Sequence, residues 1–235
     1  MSDARRAALA QLIDHAPLFP PASLPMPDAL DEDRRARADE HAWLLARLVW
    51  PASRLDELEG EDRSLSVLID GPYGGDPRAE ATETRWTAGL DGLRGEAYVE
   101  LPLDVELEAR VADLAERGLR AKVRCGGADV PSRAELGRFL RACRDAGVPF
   151  KATAGLHHPL ATEERHGFLN VLAACAFEDQ NALEGTVSLT PEGLRWGDRE
   201  AGADELVRVR REQLVAVGSC SFFEPVEELT ELGIL

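Results

Sequence analysis

Two lysines, Lys122 and Lys151, are the residues whose chemistry stands out. Every other member of the chain's 27 basic residues is an arginine. A guanidinium stays protonated, whereas an amine can lose its proton and attack a carbonyl carbon. A lysine kept in an arginine-rich chain is therefore a candidate nucleophile. The two contexts match: Arg-Ala-Lys122-Val-Arg-Cys-Gly-Gly and Pro-Phe-Lys151-Ala-Thr-Ala-Gly. They lie 29 positions apart, about one strand–helix–strand unit. That spacing places the two amines side by side on neighbouring parallel strands.

In a parallel barrel, catalytic groups gather at the carboxyl ends of the strands. Those ends supply Asp70, Glu100, Lys122, Arg124, Lys151, Thr153 and the pair His157-His158. Alternation along a strand puts Lys122 with Arg124 on one face and Lys151 with Thr153 on one face. The functional expectation is a Schiff-base Lys151, its pKa lowered by the positive field of Lys122 and Arg124. Asp70 or Glu100 would move protons, and His157 would act as an acid–base. Arg124, Thr153 and His158 would hold the substrate. So would the turn Gly218-Ser219-Cys220-Ser221, whose backbone N–H groups suit an anion. The plainer reading is a buried ion-pair network that holds the barrel closed. Cys125 and Cys220 also fall at strand ends, where free cysteine usually serves as a small buried hydrophobe.

Strand-like and helical segments alternate along the chain, which implies a parallel sheet. Helices are expected over residues 4–15, 31–41, 52–59, 78–90, 105–117, 132–146, 167–178, 204–213 and 224–232. Strands are expected over 42–50, 65–69, 97–103, 119–125, 149–154 and 214–220, with a hairpin over 184–196. About seven strands without a clear linker predict a (β/α) TIM-like barrel, irregular near residue 190, over residues 41–235. Residues 1–40 would form an N-terminal helical cap. An open doubly wound sheet is the alternative, weakened because no glycine-rich dinucleotide fingerprint follows a strand.

The whole has 235 residues, 44% of them apolar, and a net charge of −16. That acidity argues against nucleic acid or an anionic membrane as the main partner. No apolar run approaches the roughly 20 residues of a membrane span. Four cysteines without a CxxC pair suggest a reducing compartment, so a cytoplasmic location is expected. A small-molecule substrate is the expected partner, and a homo-oligomer is compatible with the sequence.

Phe150-Lys151-Ala152-Thr153-Ala154-Gly155 resembles the Lys-Thr-Ser-Thr-Gly strand of the deoxyribose-phosphate aldolase group of class I aldolases. Lys122-Val-Arg-Cys-Gly126-Gly127 is similar to that group's second lysine strand. In the family the first of these lysines forms the imine. The two strands come in the reverse order here, the glycine spacing differs by one, and His157-His158-Pro159 has no counterpart. The resemblance covers about 40 residues. It implies an aldolase-like barrel and no particular substrate. The longer motifs Lys-Ala-Thr-Ala-Gly-Leu-His-His-Pro and Gly-Ser-Cys-Ser-Phe resemble an uncharacterised bacterial family, which implies no activity.

The leading expectation is a cofactor-independent carbon–carbon lyase, or a related enolising enzyme, acting through Lys151 on a small carbonyl compound. A second is an enolase-like barrel with a divalent metal on Asp70, Glu100 and a histidine. A third is a non-catalytic barrel that binds a small anion.

Overall fold

Eight parallel strands close into a barrel in the computed structural model, which describes residues 3–58, 60–87, 90–127, 130–154 and 156–235. The strands are β1 (Ile13–His15), β2 (Leu45–Pro51), β3 (Leu65–Leu68), β4 (Ala79–Arg85), β5 (Glu96–Glu100), β6 (Arg120–Arg124) and β7 (Phe150–Thr153). A short antiparallel sheet follows, of β8 (Val187–Leu189), β9 (Leu194–Trp196) and β10 (Arg199–Ala201), before the last barrel strand, β11 (Leu214–Ser219). β11 pairs with β7 on one side and with β1 on the other, which closes the ring. The helices are α1 (Ala4–Leu9), α2 (Met26–Ala38), α3 (Leu107–Arg117), α4 (Arg133–Ala146), α5 (Phe168–Phe177), α6 (Ala203–Glu212) and α7 (Phe223–Glu231). This is the TIM-like barrel expected from the alternation.

The lysine strands form where the sequence placed them. α4 starts with a capping box, Ser132 and Glu135 each bonding the other's backbone N–H. It ends on Gly147, whose φ of 65° is a left-handed conformation that favours glycine. The chain then turns directly into β7. Lys122 and Lys151 become register partners on adjacent strands. Leu136, Phe139, Leu140 and Cys143 line the buried face of α4 and belong to the core between helices and barrel. Every residue of α5 is buried. The small sheet covers its outer side, with Phe177 and Trp196 ring centroids 6.1 Å apart, and this is why α5 is apolar all round.

Three expected helices are not formed as expected. Residues 4–15 divide into α1 and β1, so the N-terminal segment supplies a barrel strand and is not simply a cap. Residues 78–90 contain β4, an extended segment. Residues 52–58 form a short 3-10 segment with a kink at Arg54. Glu59 and positions 88 and 89, the ends of two of these expected helices, lie outside the described residues. So does Gly155 of the lysine motif.

Candidate active site

The barrel interior is charged where an aliphatic filling is usual. Lys151 is fully buried on β7. Its Nζ lies 2.6 Å from Asp14 Oδ2 on β1 and forms a short ion pair with Glu83 Oε1 on β4. Lys122 Nζ lies 3.0 Å from Glu83 Oε2 and 3.1 Å from Glu100 Oε2. One carboxylate, Glu83, therefore bridges the two amines, using one oxygen for each. Ser66 on β3 donates to Glu83 Oε1 at 2.7 Å, and the Arg47 backbone N–H donates to Asp14 Oδ1 at 3.0 Å. Beneath Lys151 lies the ring of Tyr98, its centroid 5.9 Å from Nζ.

This wiring corrects one expectation. Burial alone pushes the Lys151 amine down, but the charges of Asp14 and Glu83 outweigh it and hold the pKa above the usual lysine value. Lys151 is thus a tightly held cation and not an amine freed by neighbouring positive charge. Burial pushes Glu83 up, and Lys151 and Lys122 together hold it well below the usual carboxylate range.

Above this floor opens a cavity of about 690 Å³. Glu83, Lys122 and Lys151 form its base, and Glu100, Arg85 and Arg124 stand around them. Phe19, Pro20 and Pro21, from the β1–α2 loop, give it an apolar side. Gly218 leaves room for the opposite wall, because a Cβ there would meet the Thr153 methyl at 3.0 Å. Among the described residues that line this cavity, Arg85, Arg124, Arg165 and the two lysines face the carboxylates of Glu83 and Glu100. That excess of cations sits in a chain of net charge −16.

The cavity gathers most of the expected site residues: Glu100, Lys122, Arg124, Lys151, Thr153, His157, His158 and Gly218 all line it. It does not gather the rest. Asp70 is exposed and caps the turn after β2, accepting from the Ser53 backbone N–H at 2.9 Å and from its hydroxyl at 2.5 Å. It moves no proton in this cavity, and it forms no metal cluster with Glu100 and a histidine. The Ser219 hydroxyl is spent on the Ser221 carbonyl at 2.5 Å, and neither serine lines the cavity. Burial pushes the Cys125 thiol up to about 12, far from a thiolate at neutral pH. His166 lies apart, its Nε2 2.7 Å from the Pro131 carbonyl oxygen, and ties two loops together.

Asp14 and Glu83 escaped the sequence reading. Each sits in a segment taken for a helix. The available signal for Glu83 was Ala-Thr-Glu-Thr-Arg, in which β-branched threonines alternate with charged residues.

The site defines a class: a parallel (β/α) barrel with an arginine-lined cavity over a carboxylate-bridged lysine pair inside the barrel. No protein-family model matches the chain, and no curated protein matches it in sequence. The likeness to aldolases therefore rests on the residues around the two lysines.

Proposed function

We propose that the chain is an enzyme that forms an imine with a small, anionic carbonyl compound, to break or make a carbon–carbon bond or to enolise it. The observation that carries this reading is the bridged lysine pair at the base of a cavity whose mouth is rich in arginine. Of the two amines, Lys122 is the better placed to meet a substrate. Its side chain is 7% exposed and that of Lys151 is not exposed at all. Lys122 also touches Glu100, which stands at the cavity wall and can take the proton the amine must lose before attack. The amine nitrogen then bonds to the carbonyl carbon, and the carbonyl oxygen leaves as water. The resulting iminium draws electrons from the adjacent carbon–carbon or carbon–hydrogen bond. Lys151 keeps Glu83 ionised and in place. The role first expected of Lys151 thus passes to its register partner.

The test is reductive trapping. The protein is incubated with small aldehydes, keto acids and phosphorylated carbonyl compounds, borohydride is added, and adducts are mapped by peptide mass. An adduct on Lys122 that is absent from Lys122→Arg supports the reading. An adduct on Lys151 keeps the chemistry and moves the nucleophile back. No adduct from any compound favours a second reading, a non-catalytic barrel for a small anion. The raised pKa of Lys151 speaks for that alternative. In that case Lys122→Arg would retain ligand binding, because charge alone would suffice.

A further inference from the structure

At the cavity rim, α7 and the loop after β7 bring two histidines and two glutamates together. His157 and His158 follow Ala154, whose φ of 56° turns the chain sharply at the end of β7. The backbone behind them is pinned, because the Phe168 and Leu169 N–H groups donate to the His158 and Pro159 carbonyls. The two rings are both buried, with centroids 4.2 Å apart and planes tilted by 58°. Neighbours in sequence thus present their nitrogens to one place. His157 Nε2 lies 3.5 Å from Glu224 Oε2. One ligand atom from each of His157, His158 and Glu224 falls within 4.8 Å of the other two.

We infer that His157, His158 and Glu224 form a binding site for a divalent transition metal such as Zn²⁺, open on its fourth side to the cavity. Two imidazoles and one carboxylate are a common ligand set for zinc that keeps a position for water or substrate. The His157–Glu224 separation is close to the tetrahedral edge of about 3.4 Å that zinc bonds of about 2.0–2.1 Å require. A second carboxylate stands behind the first. Glu228, one turn along α7 from Glu224, lies with Oε1 2.5 Å from His158 Nδ1. That contact fixes the proton on Nδ1 and leaves the Nε2 lone pair for the metal, an arrangement that orients imidazole ligands and makes them more basic. Arg165 is the competitor. Its Nη1 lies 2.9 Å from His158 Nε2 and occupies the lone pair that the metal would use. Arg165 forms no ion pair among the described residues, and its guanidinium rests against the His158 imidazole. The metal-free site is therefore latched by a guanidinium that must swing out before the ion enters.

Metal binding to the intact chain tests this independently of any imine chemistry. The protein is stripped with chelator, titrated with Co²⁺ and followed by visible absorption, then titrated with Zn²⁺ against a chromophoric chelator. One equivalent should bind, with the intense bands of a low-symmetry Co²⁺ site. His157→Ala and Glu224→Gln should abolish it. Glu228→Gln, which alters only the partner of a ligand, should weaken it by on the order of 10–100-fold. Arg165→Gln should strengthen it, an effect that a merely structural cluster would not produce. Failure of the unaltered protein and of Arg165→Gln to bind either ion overturns the inference. So does binding that survives His157→Ala with unchanged stoichiometry and affinity.

Discussion

The floor and the rim of the cavity are built from the same kinds of charge and solve opposite problems. On the floor, each amine touches two carboxylates, and Glu83 is shared between them. At the rim, Arg124 lies 4.0 Å and Arg85 3.9 Å from one oxygen or the other of Glu100, and Arg165, which forms no ion pair among the described residues, faces an imidazole. The floor is complete without a ligand, and the rim is not. Buried charges must be paired to be tolerated at all, whereas exposed ones can wait for a partner. The difference is that the floor fixes geometry, whereas the rim leaves its arginines available to a ligand.

Removing Glu83 should have the largest effect. Glu83→Ala removes the carboxylate shared by two buried ammonium groups, leaving each with one partner, and should cost about 3–5 kcal/mol, read from the urea midpoint. Arg124→Ala, at a half-exposed position, should stay within about 0.5 kcal/mol. If the two variants unfold alike, the contrast between floor and rim fails. Next comes ligand affinity. Arg124→Gln should weaken binding of inorganic phosphate or of the trapped carbonyl compound by about tenfold, as expected for one charge-assisted hydrogen bond. Unchanged affinity would move anion selection elsewhere on the rim.

A smaller effect lies just outside the barrel wall. His15 follows Asp14 on β1 and reaches the other way, to Asp33 at 3.1 Å and Glu32 at 3.5 Å on α2. Arg37 and Arg63 also face Asp33. Burial lowers the His15 pKa, but its hydrogen bonds to Asp33 and Glu32 raise it further, and the balance is upward. The ion pairs therefore contribute stability that is fully present below about pH 6.5, the unperturbed histidine value, and is lost as pH rises through the folded value. The urea midpoint should fall across that window, and His15→Gln should flatten the fall. A midpoint that declines equally in His15→Gln would assign the titration to another group. The smallest effect belongs to Asp70. Asp70→Asn, remote from the cavity, should leave trapping and anion affinity unchanged.

The lysine strands, α4 and the barrel class could be read from the sequence because local signals agreed there. Ser132, Gly147 and the apolar stripe of α4 all point to one helix, and it spaces two apolar strands. β1 and β4 could not be read in the same way. β1 has three residues and follows a helix without a break in pattern. β4 turns Glu83 into the barrel interior and Arg85 to the cavity mouth, so the usual apolar–polar alternation of a strand is absent. The charged interior that makes the site chemically interesting is also what hid half of it. His157 and His158 were visible as a pair, but their partners Glu224 and Glu228 come from the far end of the chain. Only the closure of the ring brings them together.

No helix among the described residues is long and apolar enough to cross a membrane. A chain of net charge −16 carries a cavity lined by three arginines and two lysines.

The shared carboxylate sets a stoichiometry. With one oxygen on each amine, Glu83 divides its charge between two protons. When either amine is made neutral, Glu83 keeps only the other as its lysine partner. An acylating reagent should therefore stop after one lysine per molecule, although two are present.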